Sequence, residues 1–325
     1  MTNVSGTPEK LPEDGQVADA VSRNWVDTLA PRWSRPYLRL SRADRPIGTW
    51  LLLLPCWWGA FLGAATQGGP GLWTLWIVIG CGVGAFLMRG AGCTWNDITD
   101  RKFDAKVART RSRPIPSGQV SVLRAAVWMI LQAVLAFGIL LTFNLPAILL
   151  GILSLSLVCI YPFAKRFTWW PQIFLGLAFN WGALLAWTAE TGSLGTPAVV
   201  LYLAGISWTL FYDTIYAHQD TEDDALIGVK STARLFGAQS KRWLSGFMVL
   251  SVLLLTGAII LALLPTGNPL TLVLGIGAAW AMGWHLIWQL HRLNPDDPAN
   301  CLMLFRANRD TGLLVALFLA AASLV

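Results

Sequence analysis

Oxygen-bearing polar side chains recur every four residues in the segment N-D-I-T-D-R-K-F-D, at positions 96–104. On a helix, Asn96, Asp100 and Asp104 would share one face with Asp97 beside them, because side chains four residues apart are neighbours. Carboxylates at this spacing repel one another in an isolated helix. We therefore expect a positive partner, either a metal ion or basic side chains, to stabilise this face.

A second acidic segment, Y-D-T-I-Y-A-H-Q-D-T-E-D-D at 212–224, has the same character. Its Asp213, Asp220 and Asp224 are separated by seven and four residues, which aligns the three carboxylates if the segment is helical. Oxygen ligands suit a hard cation such as Mg²⁺, which is bound through a few carboxylates together with phosphate and water. The two segments therefore predict magnesium ligands, whereas a solvated acidic loop would not require this alignment.

Basic residues accompany both acidic segments. The turn-rich loop A-K-V-A-R-T-R-S-R-P-I-P-S-G follows Asp104 directly, and further Lys residues occur in Y-P-F-A-K-R and G-V-K-S-T. Carboxylates that hold Mg²⁺ next to Arg and Lys side chains are typical of a diphosphate site. We predict that a diphosphate group is bound by Lys106, Arg109, Arg113, Lys165 and Lys230.

Long apolar segments must position these groups. The chain has 325 residues, of which 55% are hydrophobic and 13% charged, a composition outside the range of soluble globular proteins. Apolar runs long enough to cross a bilayer core recur between short polar connections. They predict nine transmembrane helices, at about 47–66, 72–92, 121–142, 145–162, 170–189, 197–213, 244–264, 269–289 and 309–325.

The distribution of charge predicts the orientation. All 24 Lys and Arg residues fall at 1–46, 89–124, 165–166, 230–242 and 292–309, and the alternate connections contain none. Since Lys and Arg are concentrated on the cytoplasmic side of membrane proteins, the N-terminus and both acidic segments are expected there. This topology accounts for the net charge of +6, so no nucleic-acid partner is inferred from it.

The N-terminal segment has no apolar stretch typical of a signal peptide and more acids than a transit peptide. We expect a loosely ordered cytoplasmic leader over residues 1–35, a short interfacial helix around W-S-R-P-Y-L-R-L, and a membrane domain over 36–325. The expected location is a bacterial plasma membrane, the cell inner membrane. The five Cys residues lack C-x-x-C spacing, so neither a disulfide nor a zinc site is predicted.

The motifs N-D-x-x-D-x-x-x-D, R-P-I-P-S-G, Y-D-T-x-Y-A-x-x-D-x-x-D-D and G-x-K-S-T together resemble those of the UbiA superfamily of intramembrane aromatic prenyltransferases. The resemblance covers about residues 36–325, and D-R-P-I-G-T-W-L-L-L-L-P-C-W-W-G, L-M-R-G-A-G-C and Y-P-F-A-K-R are similar to the branch that uses 4-hydroxybenzoate. It implies an all-α, polytopic membrane fold with nine transmembrane helices around a central cavity and two acidic motifs that face each other. It also implies Mg²⁺-dependent transfer of a polyprenyl group from polyprenyl diphosphate to 4-hydroxybenzoate, in ubiquinone biosynthesis, without an obligate protein partner.

The resemblance assigns roles to particular residues. Catalytic roles go to Asp97, Asp100, Asp213 and Asp220, metal binding to Asn96, Asp100, Asp104, Asp220 and Asp224, and Tyr161 joins the diphosphate-binding set. The acceptor carboxylate needs its own cation, for which Arg45 is the candidate with Arg42 behind it. Arg45 could equally anchor the chain at the membrane surface.

Two other functions fit parts of the pattern. A prenyltransferase of the same superfamily that acts on homogentisate, a naphthoate or haem would share the acidic motifs and differ in its acceptor pocket. An ion-coupled transporter would carry acids at mid-membrane depth. The apolar segments here are nearly free of charge and the acids collect at one membrane surface, which favours the prenyltransferase.

Overall fold

The computed structural model describes residues 17, 20–21, 23–105, 110–221, 228 and 230–325, with only the backbone of Asp220. This part of the chain is helical and contains no β-strand. Twelve α-helices follow in order: α1 Trp25–Thr28, α2 Arg35–Leu40, α3 Ile47–Thr66, α4 Leu72–Asp104, α5 Val122–Leu140, α6 Leu145–Phe167, α7 Pro171–Thr191, α8 Thr196–Ala217, α9 Thr232–Phe236, α10 Ser240–Leu263, α11 Pro269–Arg292 and α12 Pro298–Ser323.

The long helices confirm the prediction of an all-α, polytopic membrane protein. Among the described residues, eight helices are long and apolar enough to cross a membrane. The predicted ninth crossing corresponds to α12, which carries Arg306, Arg309 and Asp310 in its first half and is not among those eight. Backbone groups in hydrocarbon must be hydrogen-bonded within the chain, and helices satisfy this requirement segment by segment.

Two helices are longer than the apolar runs predict. Helix α4 continues past residue 92 to Asp104, so the first acidic motif is an extension of a membrane helix. Helix α12 begins at Pro298, where the Asp297 side chain accepts hydrogen bonds from the amides of Ala299 and Asn300 at 2.9 and 3.1 Å. Both extensions are polar, so hydropathy does not detect them, whereas a capping Asp followed by Pro is a helix-start signal.

The chain forms two compact units. The first consists of the described residues of Met1–Pro46 and Leu87–Val134, and the second of Ile47–Phe86 and Leu135–Val325. In the second unit, α3 packs against α7 and α12, and α8 packs against α7 and α10. Its core includes the fully buried Trp58 and Trp208, whose rings lie 4.9 Å apart, and the Trp58 indole donates to the Gly312 carbonyl at 2.9 Å.

The first unit has a small apolar core and a polar network. Leu40, Ile115, Val120 and Ala125 are buried together, which ties α2 to the loop before α5. Ser41 Oγ donates to Gln132 Oε1 at 2.9 Å and accepts from the Trp128 indole at 2.9 Å. A Cβ on Gly90 of α4 would meet both Gln132 and Ser41, so a glycine is required at that close approach.

Candidate active site

The first acidic motif occupies the C-terminal end of α4, as the four-residue spacing predicts. Asp97 and Asp100 are 0% exposed, Asp104 is 8% exposed, and Asn96 is half-buried. Carboxylates without exposure to water need partners of opposite charge, because desolvation of an isolated ion is very unfavourable. The motif is therefore a buried charge cluster, and its basic partners decide its stability.

Two arginines from separate segments supply positive charge. Arg42 Nη2 lies 2.5 Å from Asp97 Oδ1. Arg113 Nη1 lies 3.3 Å from the same Asp97 oxygen and 3.0 Å from Asp104 Oδ2, so it bridges two carboxylates of the motif. The positive partner expected for this face is therefore at least partly arginine, and the R-P-I-P-S-G loop is tied to the acidic helix through Arg113.

Arg42 is held in an unusual backbone conformation. Its φ of 57° lies in the left-handed region, which non-glycine residues rarely adopt. Its Nη1 donates to the Arg39 carbonyl at 3.2 Å while Nη2 binds Asp97. Burial lowers the pKa of Arg42, but the adjacent Asp97 carboxylate offsets this effect and raises the pKa above its ordinary value. Arg42 therefore stays charged.

Asp44 and Arg45 follow in the same turn. The Asp44 side chain is fully buried, and neither of its oxygens has a hydrogen-bond partner among the described residues. Arg45 Nε lies 3.5 Å from Asp44 Oδ1, which is close enough for an ion pair but too long for a well-made hydrogen bond. Burial raises the pKa of Asp44 to about 6, although the Arg42 charge lowers it in part.

The donor chemistry of the first motif fits a magnesium ion. Its side chains offer oxygen atoms, and Asp97 Oδ2 is buried without a hydrogen-bond partner in the described part of the chain. No group of three or more His, Cys, Asp or Glu side chains suited to a metal occurs among the residues that the structure describes. A cation held by this motif would therefore need additional oxygen ligands, as Mg²⁺ ordinarily takes from phosphate and water.

The second acidic motif begins in α8, where Asp213 is half-buried. Helix α8 ends at Ala217 and a 3₁₀ turn covers His218–Asp220, so the single α-helical face predicted for Asp213, Asp220 and Asp224 is interrupted. The tighter 3₁₀ turn changes the angular spacing of its side chains. The Asp220 side chain and all of Asp224 lie outside the described residues, as do Lys106 and Arg109.

The second unit brings two of the predicted diphosphate-binding residues together. The Lys230 amide donates to the Lys165 carbonyl at 3.3 Å. Two residues further on, the fully buried Thr232 hydroxyl lies 2.7 Å from that of Thr214, and the Thr232 amide donates to Gln172 Oε1 at 3.3 Å. The G-V-K-S-T segment is thereby attached to the residue that follows Asp213.

An aromatic ring lies against the same basic segment. Lys230 Nζ is 5.9 Å from the centre of the Trp169 ring, and the Arg234 guanidinium is 5.5 Å from it, distances at which cations are attracted to an indole face. Tyr161 is half-buried on α6, four positions before the half-buried Lys165. The sequence predicts the lysines, and the Trp pair at 169–170 fits an aromatic belt or a cavity lining. The contacts of Thr214, Thr232 and Gln172 are not predicted, although Thr214 and Thr232 belong to the Y-D-T and K-S-T motifs.

Known proteins resemble this chain in sequence and in fold. The model of the UbiA prenyltransferase family matches residues 52–309. The chain is 49% identical over 302 residues to the protein named "4-hydroxybenzoate polyprenyltransferase, mitochondrial" of Bos taurus, covering 92% of this chain and 78% of the relative. It is 46% identical over 320 residues to the protein of the same name from Homo sapiens, covering 98% and 83%.

A solved structure shares the fold. The UbiA homolog from Archaeoglobus fulgidus bound to GPP and Mg²⁺ has a TM-score of 0.63 and 19% sequence identity, and the match covers 89% of this chain and 100% of that chain. At this identity the similarity supports the fold alone.

Proposed function

This chain belongs to the UbiA prenyltransferase family, and we propose that it transfers a polyprenyl group from polyprenyl diphosphate to 4-hydroxybenzoate, at the ring carbon ortho to the phenol. The observation that carries this proposal is the 49% identity to a 4-hydroxybenzoate polyprenyltransferase across 92% of the chain. The enzyme is a membrane prenyltransferase, and its reaction belongs to ubiquinone biosynthesis.

The reaction breaks the bond between prenyl C1 and a diphosphate oxygen and forms a bond between C1 and the ring carbon. The ring proton is then lost, which restores aromaticity, and diphosphate is released. Negative charge grows on the diphosphate as the first bond breaks, so positioned cations lower the barrier. We assign this role to Arg113, Lys165 and Lys230 among the described residues and to Lys106 and Arg109 outside them. Tyr161, on α6, is assigned a hydrogen bond from its hydroxyl to the diphosphate.

Arg113 and Asp97 have complementary tasks in this assignment. Arg113 is fixed by Asp97 and Asp104, so its guanidinium is oriented before substrate arrives. Asp97 in turn forms an ion pair with Arg42, and both side chains are almost completely buried, where charges attract each other more strongly than in water. Asp100, Asp213 and Asp220 complete the set of carboxylates to which we assign catalytic roles.

Magnesium ligation is assigned to Asn96, Asp100, Asp104, Asp220 and Asp224. Support comes from the oxygen-only donor set, from the buried Asp97 oxygen without a hydrogen bond, and from the Mg²⁺ named with the Archaeoglobus homolog. When bound, Mg²⁺ would neutralise charge on the departing diphosphate. The first motif contributes Asn96, Asp100 and Asp104 from one helix, α4, where carboxylates at this spacing repel one another unless positive charge offsets them.

Arg45 is assigned to the carboxylate of the acceptor, with Arg42 behind it. The Arg45 side chain is 10% exposed, and its ion pair with Asp44 is long at 3.5 Å. The assignment rests on the chemistry of the guanidinium, which makes charge-assisted hydrogen bonds to a carboxylate.

The chain is an integral membrane protein, and the two relatives described above are named mitochondrial. We propose the plasma membrane of a bacterium as its location. We also propose that the N-terminus and the active site are cytoplasmic, because every Lys and Arg lies on one set of connections. In a Cys159→Ser background, Ser193→Cys should react with an impermeant thiol reagent added to intact cells, and Asn294→Cys only after permeabilisation. The reverse pattern would contradict the orientation.

The test of function is a reaction of the purified full chain in lipid with polyprenyl diphosphate, Mg²⁺ and separate acceptors. 4-Hydroxybenzoate should give a product heavier by one polyprenyl group, whereas homogentisate and a dihydroxynaphthoate should give little. Arg45→Ala should raise the KM for 4-hydroxybenzoate, and Arg113→Ala should lower kcat and impair use of the diphosphate. The exposed Arg124→Ala is the matched control. Product from another acceptor only would reject the assigned acceptor, and equal phenotypes for Arg45→Ala and Arg113→Ala would reject the division of roles.

A further inference from the structure

The turn that carries Arg42 needs external support. Residues 41–46 connect α2 to α3, and Arg42, in the turn at 41–44, has a left-handed φ of 57°. A non-glycine residue persists in this region only when its surroundings hold it there. On one side, Ser41 is fixed by Gln132 and Trp128 of α5. The support on the other side comes from the N-terminal segment.

We use the name N-terminal brace for Val21 together with Asn24–Thr28. The Val21 amide donates to the Asp44 carbonyl at 3.2 Å, and the Trp25 indole N–H donates to the Ala43 carbonyl at 3.1 Å. Consecutive carbonyls of the Arg42 turn are thus satisfied by the brace. Buried carbonyls that lose their donors are unfavourable, so the brace favours this conformation of the turn over others.

The brace also has a charged connection to the turn. Asp27 Oδ1 lies 2.7 Å from Arg39 Nη2, and both side chains are almost completely buried. Asn24 orients Asp27, because its Nδ2 donates to Asp27 Oδ2 at 2.7 Å and its Oδ1 accepts from the Asp27 amide at 3.1 Å. The Arg39 carbonyl in turn accepts hydrogen bonds from the Arg42 amide at 3.1 Å and from Arg42 Nη1 at 3.2 Å.

These contacts form a continuous path from the brace to the first acidic motif. It runs from Asp27 to Arg39, from Arg39 to Arg42, and from Arg42 to Asp97. The whole brace lies within residues 1–35, where the composition predicts a loosely ordered leader, and all of it precedes the residues matched by the family model, 52–309. Its buried ion pair with Arg39 and its hydrogen bonds to the turn indicate a more specific task.

We propose that Asp27 and Trp25 are positioning residues for the prenyl-transfer site: they hold the turn at 41–44 so that Arg42 keeps its left-handed conformation and its ion pair with Asp97. Neither residue needs to touch substrate. The proposal rests on the proposed function for its kinetic consequence, whereas its structural consequence, the rigidity of the turn, can be measured without any turnover.

Hydrogen–deuterium exchange of the full chain in lipid nanodiscs tests the structural part. The amides of Ser41, Arg42, Ala43 and Arg45 are all hydrogen-bonded within the turn region. Asp27→Asn should increase their exchange by about tenfold or more, because it removes the charge that holds Arg39. Trp25→Phe, which keeps the ring and removes the N–H, should increase exchange as well. The exposed neighbours supply matched controls, Arg32→Gln for loss of charge and Trp33→Phe for the ring, and neither should change it.

A double-mutant cycle tests the kinetic part. Asp27→Asn should lower kcat/KM for polyprenyl diphosphate by about tenfold in the wild-type background and by less than about twofold in an Arg42→Ala background, because coupled residues are not additive. Equal losses in both backgrounds would show that Asp27 acts on the fold in general. Unchanged exchange in both Asp27→Asn and Trp25→Phe would overturn the proposal. If the wild-type protein showed no prenyl transfer, the proposed function would be rejected. The exchange measurements would still test whether the brace holds the turn at 41–44.

Discussion

A pair of substitutions at Arg42 separates the two properties of this residue. Arg42→Ala and Arg42→Gly both remove the guanidinium that lies 2.5 Å from Asp97. Only glycine adopts the native φ of 57° without steric strain. The two variants should therefore lose prenyl transfer to the same extent but differ in stability. Any difference in stability between the two variants therefore reflects the backbone conformation at position 42 and not the loss of the ion pair.

The structure sets the expected magnitudes. Removing one partner of a buried ion pair destabilises a protein by about 3–5 kcal/mol, and Arg113, at 3.3 Å from the same Asp97 oxygen, should keep the loss near the lower end. Glycine relieves about 1–2 kcal/mol of left-handed strain. Glycine also lowers the free energy of unfolding by about 0.4–1 kcal/mol relative to alanine, because it increases the conformational entropy of the unfolded chain. Arg42→Gly should therefore be more stable than Arg42→Ala by up to about 1.6 kcal/mol.

Equilibrium unfolding in mixed micelles measures the stabilities, and product formation in the same preparations measures turnover. Exposed Arg124→Ala and Arg124→Gly form the matched control pair. Arg124 lies in the first turn of α5, so there glycine should be the less stable variant by up to about 1 kcal/mol. If Arg42→Gly proved less stable than Arg42→Ala, as at Arg124, the left-handed conformation would not exist in the membrane-embedded protein. If either Arg42 variant kept wild-type turnover, Arg42 would have no part in the active site.

Three further predictions follow from the buried polar groups. Because burial raises the pKa of Asp44 to about 6, the native state holds its proton more tightly than the unfolded chain, so the contribution of Asp44 to stability should be fully present below about pH 4 and be lost as pH rises through about 6. Asp44→Asn should abolish this fall in stability and stabilise the protein at pH 8 by up to about 3 kcal/mol. Thermal unfolding of both proteins at about pH 4 and at pH 8 measures the effect, and a difference between the two proteins that does not change with pH would contradict the prediction. Thr232→Val and Thr214→Val should each destabilise the protein by about 1–3 kcal/mol by leaving a buried hydroxyl unpaired, and the double variant should lose less than the sum; additive losses would argue against the Thr–Thr bond. EDTA should stop turnover and Mg²⁺ or Mn²⁺ should restore it, and Asp100→Ala should retain less than about a tenth of the wild-type rate while inserting normally; turnover in metal-free buffer would reject the magnesium assignment.

The fold was largely predictable because the membrane restricts the alternatives. A segment that crosses hydrocarbon must be helical and apolar over its whole length, so hydropathy locates α3, α7 and α11 to within a few residues. The rule gives no information where a helix leaves the hydrocarbon, as in the polar ends of α4 and α12. The position of the first acidic motif on a helix came instead from the spacing of its carboxylates, which is a local property.

The partners of those carboxylates were not predictable, because nothing local selects them. Arg42 and Asp97 are separated by 55 positions, and no periodicity connects them. The spacing of Asp97, Asp100 and Asp104 indicates only that these carboxylates repel one another and need positive charge nearby. That charge can come from a metal ion or from basic side chains. Burial decides part of this choice. Buried carboxylates need positive partners even before substrate binds, because an isolated charge away from water is unfavourable. In this structure Arg42 is the partner of Asp97, and Arg113 is the partner of Asp104. The aspartate motif therefore specifies the acidic residues of the site but not their basic partners. The partners are determined by the fold, which brings distant arginines next to the buried carboxylates.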